Sequence, residues 1–140
     1  MEVLTPAALP RGGSADGLAD AVLRELAVLL DALAHDAQFS DAVDLHSLPL
    51  DDAAREQLRQ RLGRGEVEAR LELAGPSSIV ETAYAGLWWV RHANADGHTM
   101  FEQIVVARVP PLLLAHGDDI AAAAQRLGAE LTASLENTDD

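Results

Sequence analysis

No cysteine occurs in the 140 residues, and that one absence removes disulfides, thiolate metal sites, iron–sulfur ligation and cysteine nucleophiles together. The chain has to be held by its core. Lysine is absent as well, and ten basic residues stand against 23 Asp and Glu for a formal charge of −13. Nucleic acid is therefore not an expected partner, because binding it needs a Lys/Arg surface that displaces phosphate counterions. An acidic surface favours basic partners or plain solubility. No apolar run approaches the roughly 18 residues that span a bilayer. The N-terminal MEVLTPAALPRGG also lacks the basic start and continuous apolar stretch of a signal peptide. No membrane association is expected, and a soluble cytoplasmic protein is the default.

A chain of this length can bury roughly two thirds of its unfolded surface in one domain. Residues 1–15 carry Pro6, Pro10, Gly12 and Gly13 with few apolar anchors and read as a flexible lead-in. From Asp16, a candidate N-cap, to about Asp36, residues Leu18, Val22, Leu26, Leu29, Leu30 and Leu33 recur at helical spacing. After a polar loop, the stretch 44–50 should be extended because Pro49 disfavours helix before it, as an edge strand or a packed connector. Asp51 or Asp52 then caps a short helix to Leu62, with Gly63 placed for a left-handed C-terminal cap. The stretch Glu66 to Leu73 alternates apolar and charged residues and predicts a strand with Val67, Ala69, Leu71 and Leu73 on the core face.

A turn at Gly75 to Ser78 follows, and Ile79 to Ala93 is rich in β-branched and aromatic residues, with Gly86 as a break or a bulge. Asp96-Gly97 suits a two-residue type I′ turn, with a return strand to about Val109. That register pairs Ala95 with His98, Arg91 with Glu102 as an ion pair, Trp89 with Ile104 and Trp88 with Val105. After Pro110-Pro111 a last helix starts near Asp118 or Asp119 and carries Ile120, Ala123, Ala124, Leu127, Leu131 and Leu135 on one face. The order of elements predicts an α+β domain over residues 16–136: an antiparallel β-meander of about three to four strands, with the three main helices packed on one face. Residues 137–140 form a frayed tail.

Candidate chemistry was weighed against this frame. Five histidines are present, but none has HxxxH or HExxH spacing, and His116-Gly117-Asp118-Asp119 is already explained as a helix cap. His92 and His98 flank one hairpin, yet its register pairs His92 with Phe101. No GxSxG elbow exists, and the acids alternate with apolar residues on strands or sit at helix starts. Gly63-Arg64-Gly65 ends a helix, whereas phosphate loops open one. The arginines of 55–70 are interleaved with acids and read as solvated surface. No catalytic residue, metal or cofactor is assigned.

What stands out is the placement of aromatics. Of five, Tyr84, Trp88, Trp89 and Phe101 fall in the central hairpin region. Neighbouring strand residues point to opposite faces, so Trp88 and Trp89 cannot share one core without a bulge. One indole needs a second burial site, within the chain or on a partner, and the expectation is that the face opposite the helices offers at least one of the two tryptophans to a partner or a second copy as an anchor.

The residues that carry these features also form an ordered set of motifs: Asp44 through Leu50 (DLHSLPL), Leu62 through Val67 (LGRGEV), then Glu81-Thr82 leading to Gly86 through His92 (GLWWVRH). Over about Asp16 to Glu136 the chain resembles the conserved C-terminal region of HupH/HyaF-type hydrogenase expression/formation proteins. Many members are longer, and this chain holds one copy of the region. The resemblance implies a non-enzymatic accessory chaperone in [NiFe]-hydrogenase maturation that binds the hydrogenase small subunit, or another maturation protein, before export; homodimerisation is compatible with it. Tyr84, Trp88, Trp89, Val90, His92 and Phe101 are the candidate partner-binding residues. The alternative is a generic protein-interaction or dimerisation domain outside hydrogenase assembly.

Overall fold

A computed structural model describes residues 15–72 and 74–138. The elements are α1 (Ala15–His35), β1 (Asp41–Asp44), α2 (Asp52–Leu62), β2 (Glu68–Glu72), β3 (Pro76–Glu81), β4 (Leu87–Ala93), β5 (Thr99–Val106), a 3-10 turn (Pro111–Leu113) and α3 (Gly117–Thr138). Two compact units result, residues 1–110 and 111–140, and the expected domain of 16–136 spans both. Residues 1–14 of the expected lead-in lie outside the described residues, and Ala15 is already helical. Asp16 is therefore inside the first turn of α1 instead of capping it. At the other end α3 continues through Asn137 and Thr138, two residues into the expected frayed tail.

The fold class is the expected α+β, with five strands in place of three to four. All neighbours are antiparallel, in the order β1-β5-β4-β3-β2. β2 to β5 form the meander, and the added strand is β1, which lies three residues earlier than the extended segment read from Pro49. Its sequence DAVD holds one β-branched residue, and what makes it a strand is the open edge of β5. Residues 45–50 form the packed connector instead, with Leu45 and Leu50 buried.

Short polar contacts set the helix ends and turns. Asp51 is the cap of α2, its side chain accepting from Ala54 N at 2.8 Å. Gly63 ends α2 at φ 65°, but its ψ of −163° lies outside the left-handed helical well expected there. Gly86 turns the chain from β3 into β4 at φ 93°, a conformation that favours glycine, and a Cβ there would push on the ends of the Leu33 and Leu30 side chains. β2 is an edge strand, which leaves Ala69 and Leu71 half-buried; Val67, expected in the core, is 45% exposed.

The β4–β5 hairpin corrects its turn while keeping its register. Asn94 N donates to His98 O and Gly97 N to Asn94 O, so the loop has three residues and ends on Gly97 at φ 86°. This is a type I turn with a glycine bulge in place of a two-residue type I′ turn. The Asn94 side chain builds it, accepting from Asp96 N and His98 N. The extra loop residue moves the pairing by one, and a second irregularity at Met100 moves it back: Ala93 pairs with Thr99, but His92 pairs with Phe101, Arg91 with Glu102 and Trp89 with Ile104.

α1 and α2 cover one sheet face. Ala19, Val22, Leu26 and Leu33 of α1 and Ala54, Leu58 and Leu62 of α2 pack with Leu45, Leu50, Leu87, Trp89, Ile104 and Val106. The helical residues of this cluster come from α1 and α2, and α3 belongs to the second unit. Into the same layer comes a carboxylate, that of Glu102, 4% exposed. It lies opposite Arg91 as expected but makes no ion pair with it: Arg91 Nε donates to Thr99 Oγ1. Arg55 Nε of α2 donates to Glu102 Oε1 at 2.7 Å, Trp89 Nε1 donates to Oε2 at 2.9 Å, and Arg59 stands 3.6 Å from Oε2. Arg55, read as solvated, is thus a half-buried partner of the core.

Removing one side of such a buried pair leaves the other charge uncompensated, at a cost of about 3–5 kcal/mol. Glu102→Ala should therefore lower the urea-unfolding free energy by that amount, while the paired change Glu102→Leu with Arg55→Met recovers only part of it, because Trp89 Nε1 and Arg59 also lose their acceptor. A loss below about 1 kcal/mol for Glu102→Ala, the scale of a surface pair, contradicts this reading.

Candidate interaction site

The six candidate partner-binding residues fall along one strand and its ends. Trp88, Trp89, Val90 and His92 belong to β4, Phe101 lies opposite His92 on β5, and Tyr84 sits in the turn that precedes β4. The alternation of β4 sends Trp89 toward α1 and α2, while Trp88, Val90 and His92 share the opposite face with Ser77, Ile79, Phe101 and Val105.

Both indoles are enclosed. Trp88 is 7% and Trp89 9% exposed, and each ring nitrogen is satisfied, Trp88 Nε1 by Ala107 O at 3.0 Å and Trp89 Nε1 by the Glu102 carboxylate. The Arg59 guanidinium closes over the Trp89 ring, 5.1 Å from its centroid. The expectation that one indole stays open for a partner is therefore corrected: the second face of the sheet buries its tryptophan too. Val90, at 2% exposure, is equally inaccessible.

Tyr84 and Phe101 remain at the surface, 52% and 37% exposed. Tyr84 is presented by a turn in which Thr82 Oγ1 donates to Tyr84 O and accepts from Tyr84 N, and Thr82 N donates to Leu87 O. That hydroxyl is buried and fixes the backbone that carries the ring. Phe101 stacks on His92 with centroids 5.5 Å apart, and Ser77 Oγ hydrogen-bonds His92 Nδ1 across β3 and β4. The serine is buried, so this contact satisfies an interior hydroxyl and does not present a nucleophile. Seven residues of β4 separate the two ends, about 20 Å at strand rise. Tyr84 and the His92–Phe101 pair are accordingly two separate surface points.

The sequence reading missed Met100, which is 54% exposed beside Phe101. Its signal was Asn94, whose side chain makes the three-residue loop that demands a compensating bulge at Met100. The pair gives the hairpin an apolar tip. Among the described residues no three His, Asp or Glu side chains are grouped to hold a metal ion. His116 caps α3, its Nδ1 accepting from Asp118 N. A polar recess between α1 and α2 is lined by Asp20, Gln57, Gln60 and Arg61, with Arg61 held to Asp20 at 3.0 Å. At the exposed end of α1 the Asp31 backbone carbonyl, and then its carboxylate, raise the His35 pKa above the ordinary imidazole value.

Comparison with known proteins gives one consistent family. Residues 18–134 match the family model of the HupH hydrogenase expression protein, C-terminal conserved region. The hydrogenase expression/formation protein HoxQ of Azotobacter vinelandii is 34% identical over 127 residues, covering 86% of this chain and 44% of that protein. HoxQ of Cupriavidus necator is 37% identical over 117 residues, covering 81% and 39%. The chain thus spans less than half the length of these curated relatives. The solved structure of the hydrogenase expression protein HupH from Thiobacillus denitrificans aligns with a TM-score of 0.78 at 39% identity, over 83% of this chain and 96% of that one.

Burial of both indoles makes a direct spectroscopic prediction. Native-state tryptophan emission should be blue-shifted and only weakly quenched by acrylamide, and Trp88→Ala should cost about 3–5 kcal/mol of stability. Emission at the wavelength of free indole in the folded protein would contradict the burial described.

Proposed function

The chain belongs to the HupH hydrogenase expression protein family, and from that premise we propose that it is a non-enzymatic accessory protein of hydrogenase maturation, holding a client in the manner of a chaperone. The observation that carries the reading is the family match across residues 18–134, supported by relatives titled as hydrogenase expression/formation proteins. The client we infer is the small subunit of a [NiFe]-hydrogenase before its export, or another maturation protein. A chain without cysteine has no thiolate to offer a cluster, yet it can grip an apoprotein through surface contacts. Because the chain matches less than half of each curated relative, the proposal is confined to client holding.

Tyr84, Met100 and Phe101 are the exposed large side chains near the candidate residues, with His92 half-buried behind Phe101. Aromatic and methionine side chains at the surface are the usual anchors of protein contacts. The acidic surface contributes steering: a charge of −13 raises the encounter rate with a basic client segment more than it raises affinity.

Two measurements test this. Deleting the gene from its host should abolish or sharply reduce uptake-hydrogenase activity, and complementation with Tyr84→Ala/Phe101→Ala should restore a folded protein but not the activity. Full activity in the deletion strain would falsify the maturation role. In vitro, association with the small-subunit precursor should weaken as salt rises from low to physiological concentration. Salt-independent association would remove the electrostatic account and leave the anchors alone to explain binding.

A further inference from the structure

Two of the sequence motifs, Leu62 through Val67 and Glu81-Thr82, have no part in the proposed contacts, yet they meet beside the turn that carries Tyr84. Backbone bonds join them: Ala83 N donates to Leu62 O at 2.9 Å, Gly65 N to Glu81 O at 2.7 Å and Glu81 N to Val67 O at 2.9 Å. The Glu81 side chain reaches back to the same link, its Oε1 accepting from Glu66 N at 3.0 Å. Gly65 makes this approach possible, because a Cβ there would stand 2.6 Å from Thr82 O and overlap the Glu81 carboxylate. The Thr82 carbonyl belongs to the backbone and cannot swing aside as the end of a side chain can.

Beyond this joint the turn closes on itself. Thr82 N donates to Leu87 O at 3.0 Å, and Leu87 N donates to Tyr84 O at 3.1 Å. Thr82 is 3% exposed, and its hydroxyl bridges both backbone groups of Tyr84 at 3.1 Å. The hydroxyl thus fixes Tyr84 relative to Thr82, and the joint fixes Thr82 relative to the end of α2. All of these contacts fall within residues 62–87, inside the first unit, and none involves α3.

On the reading of Tyr84 as a client anchor, we propose that Gly65 and Thr82 are positioning residues that hold its ring in the geometry the client meets. An aromatic anchor binds more tightly when it is already ordered, because the entropy of immobilising it is then lost on folding and not on binding. Neither chain segment orders the turn alone. Gly65 supplies the close approach, and Thr82 carries that order on to Tyr84.

Hydrogen exchange and binding to the purified small-subunit precursor test the assignment. Thr82→Val keeps the side-chain shape and removes its hydrogen bonds, Thr82→Ser keeps the bonds, and Gly65→Ala forces the joint apart. In the free protein, amide exchange at Tyr84 should quicken in Thr82→Val and Gly65→Ala by more than the loss of global stability accounts for. Affinity for the precursor should fall about thirtyfold in Tyr84→Ala and about tenfold in Thr82→Val and Gly65→Ala, and recover in Thr82→Ser. With Tyr84 already truncated, Thr82→Val should cost no further affinity, although it lowers stability as before. Parent-like exchange at Tyr84 or parent-like affinity in Thr82→Val overturns the positioning role and leaves client holding intact, as does an additive loss in the double variant. Should Gly65→Ala fail to fold, the two Thr82 variants decide. Parent-like affinity in Tyr84→Ala overturns the anchor and its positioning together, and a parent chain that binds no precursor overturns the client reading and this proposal with it.

Discussion

The buried carboxylate of Glu102 is the constraint around which the larger unit is arranged. Moving an ionised carboxyl out of water costs several kcal/mol unless its oxygens are taken up by donors. Here the donors come from two places, Arg55 and Arg59 of α2 and the Trp89 indole of the neighbouring strand, and Arg55 is itself steadied by a second bond from Nη1 to Leu50 O. The backbone carbonyl of Glu102 accepts from Leu45 N and His46 N. One position on β5 thereby fixes where the connector enters the core and how α2 lies over the sheet. Leucines of α1 and α2 provide the apolar area, but apolar contacts are non-directional; the charged hydrogen bonds set which rotation of α2 is native.

That arrangement also decides what the aromatics are for. Trp89 is held from below by Glu102 and from above by Arg59, and Trp88 is tied to the backbone of Ala107. Side chains so committed cannot move out to meet a client without leaving a buried donor or a buried charge unpaired. The candidate residues left exposed are Tyr84, in the turn before β4, and Phe101, beside Met100 at the start of β5. The Leu-Trp-Trp-Val run from Leu87 to Val90 is buried and serves packing.

Much of this was legible in the sequence and some was not, for reasons that can be named. The spacing of Leu18 to Leu33 specified α1, because local periodicity is enough; the central register, read from a two-residue turn, holds because the extra loop residue and the irregularity at Met100 cancel. Glu102 was misread as the surface partner of Arg91 because that choice needs only the hairpin; its real partner Arg55 is 47 residues away in sequence. Of the two readings offered for 44–50 the packed connector holds, and β1 just before it was not foreseen, since an edge strand is defined by the edge it joins and not by its own composition. The turn was taken as the dipeptide Asp96-Gly97, while the Asn94 side chain two residues earlier favours the longer loop. In α3 the periodicity of Ile120 to Leu135 was enough to specify the helix.

The arginines complete the argument about partners. Of the five between residues 55 and 70, Arg55 and Arg59 face Glu102, Arg61 faces Asp20, and Arg64 and Arg70 both face Glu68. Each lies within 4 Å of a carboxylate, so the densest positive stretch of the chain is neutralised by acids beside it. It offers little free positive potential to a phosphate or a nucleic acid. What extends into solvent is the excess of acids, a field that reaches about 8 Å at physiological ionic strength. A basic segment enters that field readily, whereas an acidic one has to be held by the apolar tips against it. The same local neutralisation lets α2 carry four arginine contacts across the core boundary without making the surface attractive to anions.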